Sequence, residues 1–380
     1  MDIKDNIARM YIKGFVIPKA QIFDKPGFIT FRISGKTNVF ARQVLVPETL
    51  FVELERSIVE KYGELGKSAL YSIGKKFGYS FSQLGRFENI KDHPGNGIKD
   101  WIIIASKFIE GTYASEISQT IDVENSTVDF LARNFVVCRK LGYDFLFASG
   151  GAAGVVAWLL QDKSIESYYY DGKYLDAVYV CRVKCAPIAR LERSFKGIYK
   201  EIDLDRLDQD IKMYSGFNAE SEIQYKKSFS DFLDAKIFSY DNGIINLNSS
   251  NERFFLTEVS GLYLLELGLK NNKLDSDVFD VAYSVGSKLF DKLNVNIKSL
   301  LELITALGWG ETCVVPSQKD RVIVIINHFP WTLWYKDIDF LVIRGLLSGL
   351  LSKIYGRELK LNKPDVDIHN KYLALVFKES

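Results

Sequence analysis

The chain has 380 residues, 47% of them hydrophobic and 26% charged, and its 49 Lys and Arg balance 48 Asp and Glu. This excludes a disordered chain and a global field that would attract nucleic acid or an anionic membrane. The length asks for two domains of roughly 150 residues with some extra material.

The start, MDIKDNIARM, is charged and lacks the apolar core of a signal peptide, and only Cys138, Cys181, Cys185 and Cys313 are present. Both features predict a cytoplasmic protein with reduced thiols. Abundant Ile, Lys, Tyr and Glu beside three Met and three His are compatible with a thermophile.

Strands are predicted at 15–23, 28–34 and 39–46, rich in Ile, Val and Phe and separated by turn residues. Pro47 then opens a helix carrying Leu50, Leu54, Ile58 and Tyr62 near helical spacing. Further helices are expected at 67–81 and 98–110, then strands at 116–123 and 127–136. The run FLFASGGAAGVVAWLL at 145–160 is the longest without charge. It is shorter than the roughly 20 residues of a membrane span and holds three glycines, so it reads as a buried helix. Strands follow at 165–170 and 174–183. Ile198, Ile202, Leu207, Ile211 and Tyr214 suggest an amphipathic connector helix, basic at its start and acidic beyond. Its charges compensate as in a solvated helix, and a nucleic-acid- or partner-binding arm is the other reading. The same order then recurs: strands within 236–256, helices at 257–269, 275–293 and 297–307, strands at 312–316 and 321–328, a helix at 338–355 and final strands.

Short landmarks accompany the recurrence. YSIGKKF (71–77) returns as YSVGSKLF (283–290), Gly111 as Gly310, Gly150 and Gly154 as Gly345 and Gly349, and Lys173-Tyr174-Leu175 as Lys371-Tyr372-Leu373. Their spacing places an insertion in the first copy, at the turn-rich 91–97. The expectation is an α+β protein of two related domains, each an antiparallel sheet packed against a layer of helices, arranged as a pseudo-two-fold intramolecular dimer. Residues 1–185 form the first domain, 186–234 the connector and 235–380 the second.

Arg42–Pro47 (Arg-x-Val-Leu-x-Pro), Leu70–Gly74 (Leu-Tyr-x-x-Gly) and the Gly150–Gly154 helix leading into a hairpin resemble the 4-vinyl reductase domain family. That family is a small-molecule-binding module similar in fold to TRAPP vesicle-tethering subunits. The second copy keeps Ala282–Gly286 and Gly345–Gly349. The resemblance implies a ligand site and, in some members, a Glu and paired Cys near the ligand that sometimes hold zinc. Here the hairpin offers Cys181 and Cys185, which on a regular strand stand about 13 Å apart, too far for one zinc. A turn between them would be required, and no nearby His supplies a third ligand. No metal and no cofactor is expected.

Catalytic signatures fail on inspection. Gly66-Lys67-Ser68 lacks the earlier glycine of a phosphate-binding loop, His93, His328 and His369 share no spacing, and Ser149 lies inside a helix rather than on a nucleophile elbow. An enzyme is disfavoured. The remaining signal is volume: aligning the glycine helices sets Gly151 and Ala152 opposite Leu346 and Leu347, so either a neighbouring helix or a ligand fills the space. A site would be lined by Phe145, Ala148, Gly151, Ala152 and Val156 of the helix and Tyr174 and Tyr179 of the hairpin, suiting a small lipophilic or aromatic molecule. Phe329, Trp331, Trp334 and Tyr335 either cap a core or meet a protein partner. The expected function is non-enzymatic small-molecule binding or sensing. The alternative is a ligand-free interaction scaffold or homodimer resembling the tethering subunits.

Overall fold

A computed structural model describes residues 21–32, 40–85, 87–191, 227–241, 244–289, 296–315, 321–331, 338–361, 365–367 and 372–379. The first half runs β1 (Gln21–Lys25), β2 (Phe28–Arg32), β3 (Phe40–Pro47), α1 (Glu48–Leu84), α2 (Ile98–Glu110), β4 (Glu116–Asp122), β5 (Thr127–Arg133), the single turn α3 (Cys138–Leu141), α4 (Leu146–Leu160), β6 (Ile165–Leu175) and β7 (Val178–Pro187). The second runs α5 (Phe229–Asp234), β8 (Phe238–Asp241), β9 (Ile244–Leu247), β10 (Glu252–Glu258), α6 (Val259–Asn271), α7 (Val278–Leu289), α8 (Ile297–Ala306), β11 (Glu311–Val315), β12 (Arg321–Asn327), α9 (Leu341–Tyr355), β13 (Leu359–Leu361), β14 (Asp365–Asp367) and β15 (Tyr372–Glu379). The fold is α+β with antiparallel sheets packed against helices, as the alternation of patterns predicts. The expected connector at 186–234 falls mostly outside the described residues.

Each half has its own sheet, β4-β5-β7-β6 in the first and β11-β12-β15-β13 in the second, where β14 also pairs with β15. A third sheet, β1-β2-β3-β10-β9-β8, takes three strands from each half and joins them through β3 and β10. In that seam Leu45 faces Leu256, with Gln43 opposite Glu258 on one side and Pro47 opposite Phe254 on the other. A pseudo-two-fold axis passes at the leucine pair. Arg42 and Arg253 stand at the same step from it, and each reaches into the other half. Arg42 donates to the carbonyls of Gly308 (3.1 Å) and His328, while Arg253 donates to those of Tyr113 (3.5 Å) and Asn134. Asn134 and His328 share a left-handed backbone (φ 50 and 56). Glu55 and Glu266 obey the same symmetry: each buried carboxyl accepts the backbone N–H that opens its half's glycine helix, Leu146 in α4 (3.1 Å) and Leu341 in α9 (2.7 Å).

The helix begun at Pro47 and the one expected at 67–81 form one element, α1, broken at Gly63 (φ 54, ψ −131). In the second half the same two segments separate as α6 and α7. α4 is apolar on every face because it packs on α1 on one side and on β6 and β7 on the other. Its contact with α1 is backbone on backbone. A Cβ on Gly150 would lie 2.0 Å from the Tyr71 carbonyl oxygen, and one on Gly154 would lie 2.1 Å from that of Lys75. α7 and α9 repeat this contact, Gly345 against Phe279 and Gly349 against Tyr283.

These contacts correct three of the four landmarks. Gly78 meets Gly151 as Gly286 meets Leu346, so Tyr283 corresponds to Lys75, one helical turn beyond Tyr71. Gly308 stands where Tyr113 does, under the crossing arginine, so Gly310 is not the counterpart of Gly111. Counting back from Asn134 and His328, Ala132 matches Ile326, and their strand partners Cys181 and Leu373 correspond. Lys173-Tyr174-Leu175 therefore ends β6 and is out of register with Tyr372-Leu373. Short apolar strands reuse the same few residues, which makes such matches cheap. Only the glycine pairs, fixed by backbone contact, hold their place.

Candidate functional site

The cavity of interest, about 110 Å³, lies in the first half. Phe77, Gly78 and Phe81 of α1 and Phe147, Ala148, Gly151, Ala152 and Val155 of α4 form one side. Ala105 and Ile109 of α2, Phe130 and Ala132 of β5 and Val183 of β7 form the other. The burial pattern of β5 alternates, so Val128, Phe130 and Ala132 share the core-facing side and two of them reach the space. Phe147 stacks on Phe77 at 5.4 Å between ring centroids, and Tyr113 lies 6.2 Å from Phe135. The walls are nearly all carbon, and an engineered apolar cavity of about 150 Å³ takes up benzene, so the scale is that of one small ring.

Side-chain size explains why the space lies in this half. Gly150 and Gly154 press on α1, but Gly151 turns away: a Cβ there would find its nearest neighbour at 3.7 Å. Their counterparts are the buried Leu346 and Leu347. The crossing arginines and the paired Asn134 and His328 further match Ala114 with Trp309 and Val137 with Trp331. Both tryptophans are buried in a cluster with Phe329 and Phe340. Of these four smaller residues in the first half, Gly151 and Ala152 line the space, while Ala114 and Val137 do not. At about 24 cal/mol per Å³, an unfilled volume of this size costs roughly 2–3 kcal/mol.

The polar rim comes from the seam. Gln43 and Glu258, cross-strand partners on β3 and β10, close one end and are buried. Burial pushes the Glu258 carboxyl up to about 8, although Ser260 donates to its Oε2. Asp144, also in the wall, is pushed up to about 7 by burial, and Tyr113 to about 12, with its hydroxyl 2.8 Å from that of Thr257. The Cys138 thiol lines the wall in contact with Cys181, and burial drives it well above the ordinary thiol range. Behind α4, the Lys75 ammonium (2.6 Å) and the Tyr71 hydroxyl (2.7 Å) donate to the buried Glu166 carboxylate. This network ties α1 to β6 and opens onto no part of the cavity wall.

Of the residues expected at a site, Ala148, Gly151 and Ala152 line the cavity. Phe145 and Val156 are buried on other faces of the helix core, which the all-apolar run could not distinguish. Tyr174 is exposed and donates to the Arg139 carbonyl, and Tyr179 pairs with the Tyr169 hydroxyl; β6 and β7 shift register between Tyr170 and Lys173, and neither ring lines the cavity. Gln43, Glu258, Phe77, Phe130 and Phe147 were not singled out. A charged residue ending the apolar strand FFLTE was the available signal for Glu258. Phe329 and Trp331 are fully buried and cap the second core, so they offer no partner surface, while Trp334 and Tyr335 lie outside the described residues. The ladder between β5 and β7 runs unbroken from Val180 to Cys185, which keeps Cys181 and Cys185 apart on one straight strand. Among the described residues no group of three His, Cys, Asp or Glu is placed to hold a metal ion. None of their helices is long and apolar enough to cross a membrane.

No protein-family model matches the chain, and no curated protein does. Among solved structures, the phenol-responsive sensory domain of the transcription activator PoxR, crystallised with phenol, matches 53% of this chain and 100% of its own at 14% identity and a TM-score of 0.37. A likeness that loose assigns neither fold nor function.

Proposed function

We propose that the protein binds or senses a small lipophilic or aromatic molecule in the first-half cavity, without transforming it, and that the second half serves structure. The resemblance to 4-vinyl reductase domains, carried by Arg42–Pro47 and the Gly150–Gly154 helix, belongs to the same proposal. The observation that carries it is the pairing of Gly151 and Ala152 at an apolar cavity with Leu346 and Leu347 in a filled core. In support, burial favours the neutral form of Glu258, Tyr113 and Cys138, so none of these wall groups is poised as a nucleophile. A ligand-free scaffold is less well supported, since two of its four proposed contact aromatics are buried.

Native mass spectrometry of protein from its own host tests the proposal. The wild type should carry a small mass that Ala152→Leu lacks. Protein free of any adduct, whose melting temperature no small ring compound raises, would contradict it.

A further inference from the structure

The geometry points to Gln43 and Glu258 as a recognition pair for a neutral hydroxyl on the bound ring, one residue from each half of the chain. This rests on the cavity being a ligand site and adds what the ligand must carry.

Both side chains line the cavity, both are buried, and each keeps one polar atom without a protein partner: Nε2 of Gln43 and Oε1 of Glu258. Buried polar groups are otherwise almost always hydrogen-bonded, because leaving one bare forfeits its hydration. The other polar atom of Glu258 is satisfied by Ser260, so Oε1 is the atom left without a partner on a residue that lines the cavity.

The fold does not need this pair. Across the pseudo-two-fold axis the same two positions are Phe254 and Pro47, which pair in the same sheet with no buried polar group to satisfy. Apolar residues often serve such a buried position at no loss of stability, so folding alone places no demand for a polar pair here.

The atoms define the group they accept. Gln43 presents an N–H donor, and the neutral Glu258 carboxyl, whose Oε2 already accepts from Ser260, presents an O–H on its free oxygen; a hydroxyl oxygen satisfies both at once by accepting from each through its two lone pairs. A water does the same, and a ligand hydroxyl would replace it bond for bond. A carboxylate would lose its hydration in a wall that is nearly all carbon, and an ammonium would meet the Gln43 N–H with no acceptor to offer. The ligand class is therefore an uncharged single ring bearing one accepting oxygen, of which a hydroxyl is the simplest, with its carbon skeleton among Phe77, Phe130 and Phe147.

The test uses two probes of one shape, cyclopentanol and methylcyclopentane, titrated into the full chain by calorimetry or ligand-detected NMR. The ratio of their affinities in the wild type is compared with that in Gln43→Met and, independently, in Glu258→Met, with folding checked by thermal unfolding. Comparing ratios cancels the intrinsic preference of any apolar cavity for the hydrocarbon. The expected result is at least a tenfold fall in relative affinity for the alcohol in either variant that folds. An unchanged ratio while both probes bind overturns the recognition pair and leaves the cavity reading standing. If neither probe binds the wild type, the cavity reading fails and takes the pair with it.

Discussion

Gly150 and Gly151 are adjacent, yet a methyl group added to each would meet opposite surroundings. At Gly150 it would lie 2.0 Å from a backbone oxygen, and at Gly151 its nearest neighbour would be at 3.7 Å. Gly150→Ala should therefore force α1 and α4 apart and cost more than about 2 kcal/mol. Gly151→Ala should be neutral or stabilising by up to about 1 kcal/mol, since alanine is the better helix former. Chemical denaturation of the two variants checks the difference, and equal destabilisation would contradict the assignment of faces. Buried carboxyls make a second prediction at this scale. Burial raises Glu266 to about 7, Glu258 to about 8 and Asp144 to about 7, against about 4 in an unfolded chain. The folded state then holds more protons than the unfolded one, so the stability they contribute is complete below about pH 4 and is lost as pH rises to about 8. Urea midpoints measured across pH 5 to 8 should fall, and in Glu258→Gln they should fall less.

The break in α1 shows what an element can hide. Gly63 adopts φ 54 and ψ −131, a combination that side chains other than glycine's rarely tolerate, and nothing lies within 4 Å of where its Cβ would be. Gly63→Ala should thus cost about 1–3 kcal/mol through backbone strain alone, without a steric clash. A fully stable Gly63→Ala would mean the two segments do not need that angle. Element identity was legible in the sequence wherever periodicity was strong: β5 alternates, Leu50, Leu54 and Ile58 share one buried face, and the apolar run became α4. Its site-facing side was not legible, because a helix buried on all sides carries no amphipathic signal. Gly151 and Ala152 could be found by comparison with Leu346 and Leu347. Gln43 and Glu258 could not, since they meet only through the pairing of strands far apart in sequence.

At the scale of the whole molecule, the two halves share a sheet, exchange arginines and contribute to one continuous hydrophobic core. The repeat predicts a pseudo-two-fold pair of related domains, but the crossing of Arg42 and Arg253 is invisible in either copy read separately. Each guanidinium satisfies carbonyls of the opposite half, and burial lowers Arg42 to about 9 and Arg253 to about 10. Hydrogen bonds to a charged group are worth about 1.5–3 kcal/mol each, so Arg42→Met should cost about 3 kcal/mol or more while unfolding stays a single transition by both fluorescence and circular dichroism. Separate transitions for the two halves would contradict a shared core. A ring-shaped ligand in the first half would lie beside Gly151 and Ala152, where buried leucines stand in the second. A crystal structure of protein purified from its own host tests this most directly. The account predicts density for one ring enclosed by Phe77, Phe130, Phe147, Gly151 and Ala152, with a polar substituent between Gln43 and Glu258. A cavity closed by inward rotation of Phe77 or Phe147, with side chain packed flush on Gly151, would contradict it.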